Sequence, residues 1–316
     1  MLENLFFSIN AVAPLFLVLF LGYTLKKMDF ISGGFITSGN KIVFYIALPA
    51  ALFRSVYAAE LSELLDLRFA AFAVGISLAV FFCIWLVAAL FIKDRAVVGA
   101  FTQGSFRGNF AFLGMPLLIN LAGAAGEARA ALILAFVIPV FNICSIVVLA
   151  VGSESGKKVG PLTVVFTIIK NPFIIAIFTA FAFQLIGISL PFMVNRTVHY
   201  TANMATPLAL ICLGASMHFQ GFDVKFKYAL IASLTKVVVM PVVFVAAGYM
   251  LGFRGYDIAA ILVLGGVPSA IAGYAMAVQM GGDSYVAGTI VVISTFFSAF
   301  TLTVFIYMLR MLEIIG

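Results

Sequence analysis

The run Phe69–Ile92 carries no charged residue over a length sufficient to cross a bilayer, and the chain contains many runs like it. A membrane-spanning helix needs about twenty consecutive apolar residues. Water-soluble helices break such runs with a polar face, and these runs have none. The whole sequence shares this character, with 64% of 316 residues hydrophobic, 9% charged and a mean hydropathy of +1.22. A typical soluble domain has about 25% charged residues. The runs do not alternate apolar and polar positions, which sets aside a membrane β-barrel. The fold class is therefore all-α and polytopic.

Ten spans are predicted, at about 5–25, 39–57, 69–92, 96–121, 130–151, 164–188, 197–218, 228–251, 258–280 and 284–309. Leu5–Leu25 reads as the first span and not as a cleaved leader, because only Glu3 precedes it and Lys26 and Lys27 follow it. The segment 152–161, Gly-Ser-Glu-Ser-Gly-Lys-Lys-Val-Gly-Pro, is the one stretch that reads as a linker. It separates residues 1–151, with spans 1–5, from residues 162–316, with spans 6–10. Pro14, Pro49 and Pro116 in the first half are echoed at near-constant separation by Pro172, Pro207 and Pro268 in the second. Five spans is an odd number, so the second half enters the membrane from the opposite side. Two inverted five-helix repeats are an architecture of secondary transporters.

Lys and Arg set the orientation. The loops after the odd-numbered spans hold Lys26, Lys27, Lys93, Arg95, Lys157, Lys158, Lys225 and Lys227. Arg residues on the other face are diluted by Glu60, Glu63, Asp66, Glu127 and Asp257. The lysine-rich face, with loop 152–161, is placed in the cytoplasm of a cell bounded by a cytoplasmic (inner) membrane, and both termini outside. The net charge of +6 is read as topology, not as a nucleic-acid surface. Cys83, Cys144 and Cys212 lie in apolar runs without metal-ligand spacing and read as core residues.

Two spans are interrupted. In Gln103–Leu118, Arg107 stands in an apolar run with Gly104, Gly108 and Gly114 around it and Pro116 after it. A charge within a span is costly and marks a functional site. Leu264–Gly273 repeats the pattern with Gly266, Pro268 and Ser269. Interrupted helices at matching places point to a transporter's binding site. If they cross at Pro116 and Pro268, the resuming half-helices direct positive ends at one another, which suits a carboxylate. Arg107 can bind a carboxylate bidentately or staple helices through carbonyls. Nine residues separate it from Pro116, which sets it toward the cytoplasmic mouth. Asn109 lies closer to the crossing. Asn142, a lone amide in the fifth span, serves either an interhelical hydrogen bond or the substrate. Gln103, Ser105, Tyr274 and Gln279 are weaker candidates. Lys236 is read as snorkelling, with the alternative that it faces the moving helices. Mid-span carboxylates, nucleotide loops, metal clusters and nucleophile triads are not found, so neither an enzyme nor a cofactor is expected.

Phe106-Arg-Gly-Asn-Phe-Ala-Phe-Leu-Gly-Met-Pro116 resembles the fourth-helix motif of the auxin efflux carrier family, which includes PIN-type carriers and bacterial malonate or malate transporters. Asn40–Pro49, Pro139–Asn142, Lys236–Pro241, Gly266–Ser269 and Ser294-Thr295 resemble its second, fifth, eighth, ninth and tenth helix motifs. The resemblance implies a ten-helix fold similar to sodium/proton antiporters and bile-acid symporters. In it, helices 1, 2, 6 and 7 form a scaffold that pairs as a homodimer, and helices 3–5 and 8–10 form a moving transport domain. It implies a small organic anion held beside crossed helices 4 and 9, near positions matching Asn109 and Asn142. The acid of the plant carriers' third helix is absent from Phe69–Ile92, and the sodium-holding acid of bile-acid symporters is absent from Gly265–Met280. Proton or sodium coupling therefore stays open. The expected function is an elevator-type secondary carrier for a carboxylate. The alternatives are a receptor that binds the same ligand without moving it and a sodium-coupled, bile-acid-like symporter.

Overall fold

The computed structural model describes residue 14 and residues 17–58, 66–152, 166, 169–216 and 224–315. Among these the secondary structure is helical, apart from one isolated β-bridge. Helix α1 covers residues 17–27. Then follow α2 (Gly33–Ile42), α3 (Leu48–Tyr57), α4 (Leu67–Phe91), α5 (Arg95–Phe106), α6 (Met115–Leu132) and α7 (Ile138–Gly152). The second half contains α8 (Pro172–Ile186), α9 (Phe192–Asn203), α10 (Ala205–Ser216) and α11 (Val224–Leu234). It ends with α12 (Met240–Met250), α13 (Tyr256–Gly266), α14 (Ile271–Met280) and α15 (Ser284–Met311). The linker expected at 152–161 lies outside the described residues except for Gly152, as do His218, Glu60, Glu63 and most of the start of the first span.

Polar residues at the ends of the apolar runs open the helices. Asp66 accepts from the Phe69 N–H at 3.0 Å, Asp94 from the Ala96 N–H at 2.9 Å, Asn171 from the Phe173 N–H at 2.9 Å and Asp283 from the Val286 N–H at 2.8 Å. Each satisfies a leading amide that has no partner in its own helix. Pro172, expected inside the sixth span, instead occupies the first position of α8, where the missing N–H costs nothing. The expected seventh span is two helices, α9 and α10, that meet at Met204. The loop expected between the fourth and fifth spans is reduced to a break within α6 at Gly123 (φ 54°, ψ −134°).

Pro49, Pro116, Pro139 and Pro241 share one device. Each stands two residues after a five-residue π turn, at Val43–Ala47, Phe110–Gly114, Ile133–Val137 and Thr235–Val239. In each, the residue before the proline donates its N–H to the carbonyl five back: Leu48 to Val43, Met115 to Phe110, Ile138 to Ile133 and Met240 to Thr235. Proline has no N–H, and its ring clashes with the carbonyl four back. The widened turn makes room for the ring and keeps the helix running. The glycine–proline signal at Gly114 and Pro116 thus marks a π turn, not the break expected there.

Among the described residues, five helical stretches are long and apolar enough to cross a membrane: Gly33–Arg54, Leu67–Phe91, Ala125–Gly152, Val224–Met250 and Ser284–Met311. Pro172–Ile186, Tyr256–Gly266 and Ile271–Met280 are shorter and apolar. Large apolar side chains cover the outside, with Met250 85% and Phe91 77% exposed, as a lipid-facing surface requires. Helix α3 packs on α8 and α9, and α10 packs on α2. Separately, α5 packs on α4, α7, α11 and α15, and α13 packs on α6 and α12.

Between α1 and α10 the backbones touch directly. A Cβ on Gly214 would lie 2.0 Å from the Leu19 carbonyl oxygen, and one on Gly22 would lie 2.3 Å from that of Ile211. Close backbone approach through small residues is how membrane helices associate. Gly214→Ala should therefore force the pair apart and cost about 1–3 kcal/mol. A lowered thermal unfolding midpoint in detergent reads this out. Gly75→Ala in α4, where a Cβ meets nothing within 4 Å, should leave the midpoint unchanged or raise it.

Candidate functional site

Two helices stop in the interior and pair through their ends. Helix α5 ends at Phe106, where Arg107 donates its N–H to Gln103 O at 3.1 Å and turns extended (φ −84°, ψ 113°). Helix α13 ends at Gly266, and Val267 turns extended (φ −60°, ψ 147°), as the residue before a proline is driven to do. The extended residues lie antiparallel, with Gly108 bridged to Ser269. The Asn109 N–H donates to Pro268 O at 2.7 Å, and the Ala270 N–H donates to Arg107 O at 3.1 Å. The Ser269 N–H donates to Ser294 Oγ at 3.0 Å. Gly108 permits the approach, because a Cβ there would lie 2.7 Å from Val267 Cγ2. The crossing is thus made by residues 107–109 and 268–270.

Helices resume on the far side of each break, at Phe110 and at Ile271. Between the crossing and helices α3 and α8 lies a cavity of about 50 Å³. Arg107, Gly108, Asn109, Phe110 and Ala270 line it on one side; Leu48, Leu52 and Phe173 line it on the other. Phe110 and Ala111 at the start of the first resumed helix, and Ala270 and Ala272 at the start of the second, border this space. Asn109 is buried, and its side-chain amide makes no hydrogen bond among the described residues.

Arg107 is 5% exposed. Its guanidinium donates to Asn142 Oδ1 at 2.9 Å and to Met276 Sδ at 2.6 Å. Asn142, fully buried on α7, donates its own amide to Ile138 O at 2.8 Å, which fixes its oxygen toward Arg107. Gln103 also reaches Met276 Sδ, at 3.4 Å. Lys236 is completely buried on the π turn after α11 and donates to the Gly265 carbonyl at the end of α13. A Cβ on Gly108 would be 3.5 Å from Lys236 Cε, so this cation backs the crossing. Among the described residues neither Arg107 nor Lys236 has a carboxylate within ion-pair distance.

Of the residues singled out in the sequence, Arg107, Asn109, Pro268 and Ser269 meet at the crossing. Asn142 positions Arg107 from behind and does not line the cavity. Gly266 ends α13 beneath Leu302, and Gly114 closes the π turn over Phe110. Pro116 is exposed on α6 and does not line the cavity. Ser105 bonds back to Phe101 O, and Tyr274 is buried on α14. The position assigned to Arg107, toward one mouth, is corrected: it stands in the break itself. Lys236 does not snorkel, because its helix turns it inward at the π turn. Met276 was not singled out, since an apolar thioether in an apolar run gives no signal. The better signal for the first break was Arg107-Gly108-Asn109, three consecutive non-apolar residues, of which the glycine allows close contact.

Asn142→Leu should strand the guanidinium without its oxygen acceptor and cost about 1.5–3 kcal/mol. Ser145→Ala, one turn along, removes only a neutral bond to Phe141 O of its own helix and should cost less, about 1 kcal/mol. Unfolding midpoints of the two purified variants check the contrast.

Known proteins resemble this chain over nearly its whole length. The sequence pattern of the family described as "Membrane transport protein" matches residues 7–306. The chain is 27% identical over 309 residues to a protein of Rhizobium meliloti (strain 1021) named "Putative malonate transporter", covering 95% of each chain. It is 24% identical over 300 residues to an "Uncharacterized transporter" of Methanothermobacter thermautotrophicus, covering 93% of this chain and 96% of the relative. An uncharacterized transporter of Escherichia coli (strain K12) is 24% identical over 280 residues, covering 86% and 88%.

Proposed function

This chain belongs to the membrane transport protein family, the auxin efflux carriers, and on that premise we propose that it is a secondary carrier for a small carboxylate anion. The observation that carries the anion is the crossing: two buried cations and one unbonded amide, with no carboxylate partner among the described residues. A bound carboxylate would accept from the Asn109 amide and the leading N–H groups of the resumed helices. Arg107 would supply the charge from one side and Lys236 the field from the other. The name of the Rhizobium relative makes malonate the first substrate to try.

The proposed architecture is ten spans in two inverted repeats of five, 1–151 and 162–316. Helices α13 and α14 support a crossing deep in the bilayer. Each is 11 or 10 residues long, about 16 Å, so neither half crosses the hydrocarbon alone. The scaffold would comprise α1–α3 and α8–α10 and pair as a homodimer; α4–α7 and α11–α15 would move against it. The cavity of about 50 Å³ has room for a water molecule or two but not for a dicarboxylate. Leu48, Leu52 and Phe173 on the scaffold side must therefore part from the crossing to admit substrate, which is the displacement an elevator makes. The proposed site is Arg107, Asn109, Pro268 and Ser269 at the crossing. Asn142 and Gly266 set it from behind, and Gly114 and Pro116 shape the helix that follows Asn109.

Asn109→Ala should lower malonate uptake into proteoliposomes roughly ten- to a hundredfold, the loss of one hydrogen bond to a charged group. The size-exclusion profile should be unchanged. Wild-type activity in this variant overturns the site. Counterflow of labelled malonate separates a carrier from a receptor, since a receptor that binds without moving its ligand gives none.

A further inference from the structure

A second cavity, of about 930 Å³, opens on the outer side of α4, far from the crossing. Lys93 and Arg95 stand at its mouth, where α4 ends and α5 begins. Both are exposed, and neither has an ion-pair partner among the described residues. Asp94 between them is committed to the Ala96 and Val97 amides. Below the mouth the groove follows α4 past Leu90, Leu86, Trp85 and Phe82, with α5 and α7 behind. From Lys93 to Phe82 is about 16 Å along a helix, the depth of one bilayer leaflet's hydrocarbon. Leu90, Leu86 and Phe82 are 71%, 63% and 56% exposed, and only 17% of the α4 span is buried inside the protein, so this face lies against lipid.

We propose that this groove is a binding site for one anionic phospholipid, its phosphate held by Lys93 and Arg95 and an acyl chain laid along Leu90, Leu86 and Phe82. The order of the residues carries this reading. The cations are at interface depth, and the apolar wall runs inward from Leu90 and Leu86 to the indole of Trp85, about 12 Å below them. A soluble phosphate would use the mouth and leave the apolar wall without purpose. Helix α5 runs from Arg95 at the groove to Arg107 at the crossing, about 18 Å away. The lipid therefore holds the outer end of the helix whose inner end forms the transport site.

Trp85 lines the groove and is the single tryptophan of the chain. The full-length protein is reconstituted into phosphatidylcholine bilayers containing a small fraction of lipid with brominated acyl chains, either phosphatidylglycerol or phosphatidylcholine. Quenching of Trp85 fluorescence measures occupancy. Two interfacial cations predict that phosphatidylglycerol is preferred roughly five- to thirtyfold. Lys93→Gln with Arg95→Gln should abolish the preference, whereas Lys26→Gln with Lys27→Gln should keep it. Equal quenching by the two lipids in the unaltered protein overturns the proposal and needs no variant. A preference that survives in the Lys93/Arg95 variant overturns it too. So does a preference erased by millimolar inorganic phosphate at constant ionic strength, which would make the mouth a soluble-anion site.

Discussion

Two backbone hydrogen bonds, from the Asn109 N–H to Pro268 O and from the Ala270 N–H to Arg107 O, make the broken helices possible. Hydrocarbon offers no partner to a free amide or carbonyl, and each orphan there costs several kcal/mol. A single interrupted span would need other protein groups or water to cover what its break frees. Two interrupted spans that lie antiparallel at their breaks satisfy each other, as adjacent β-strands do. Gly108 is needed because the exchange brings backbone against the Val267 side chain. The rest of the site follows from that pairing: it fixes where the half-helices end and where they resume, and thus where charge is welcome.

The distribution of charge around the crossing then has a simple physical form. Helix α5 and helix α13 bring C-terminal ends to it, each carrying roughly half a negative charge. Arg107 stands on the first of these ends, and Lys236 donates to a carbonyl of the second. The resumed helices bring two positive ends. The dipoles roughly cancel, and two basic side chains remain without acids among the described residues. Such a site tolerates being empty, because carbonyl, amide and thioether partners occupy the cations. A carboxylate at Asn142 in place of the amide would neutralise Arg107; the neutral Asn142 positions the guanidinium without discharging it.

Most of this was legible in the chain at the level of spans. Uncharged runs such as Phe69–Ile92 became helices close to their expected bounds, since lipid leaves the backbone no other choice. That the fourth span is broken and pairs with a break at Pro268 was legible as well, but the first break was read at Pro116 and lies at Arg107. What misled was proline. Pro116 and Pro268 look alike in sequence, yet Pro268 sits in a break and Pro116 sits on a continuous helix behind a π turn. The difference is tertiary: Val267–Ala270 has a strand partner to receive its freed groups, whereas the residues before Pro116 keep theirs by widening one turn. Lys236 was misread for a related reason. A lysine about eight residues from a helix end can reach the interface only if its side of the helix faces outward, and the added residue of the π turn rotates that side.

The four π turns therefore do more than accommodate rings. A π turn holds one extra residue, and restoring regular winding would rotate the preceding helix by about 100° relative to the following one. Three of the four lie beside site residues. Phe110–Gly114 follows Asn109, Ile133–Val137 precedes Asn142, and Thr235–Val239 contains Lys236. In each, a proline two residues on makes regular winding impossible, because its ring would meet the carbonyl four back. The rotation that turns Asn109 to the cavity, Asn142 to Arg107 and Lys236 to Gly265 is thus fixed by Pro116, Pro139 and Pro241. Side chains that have no salt-bridge partner to hold them are held instead by the winding of the helices that carry them.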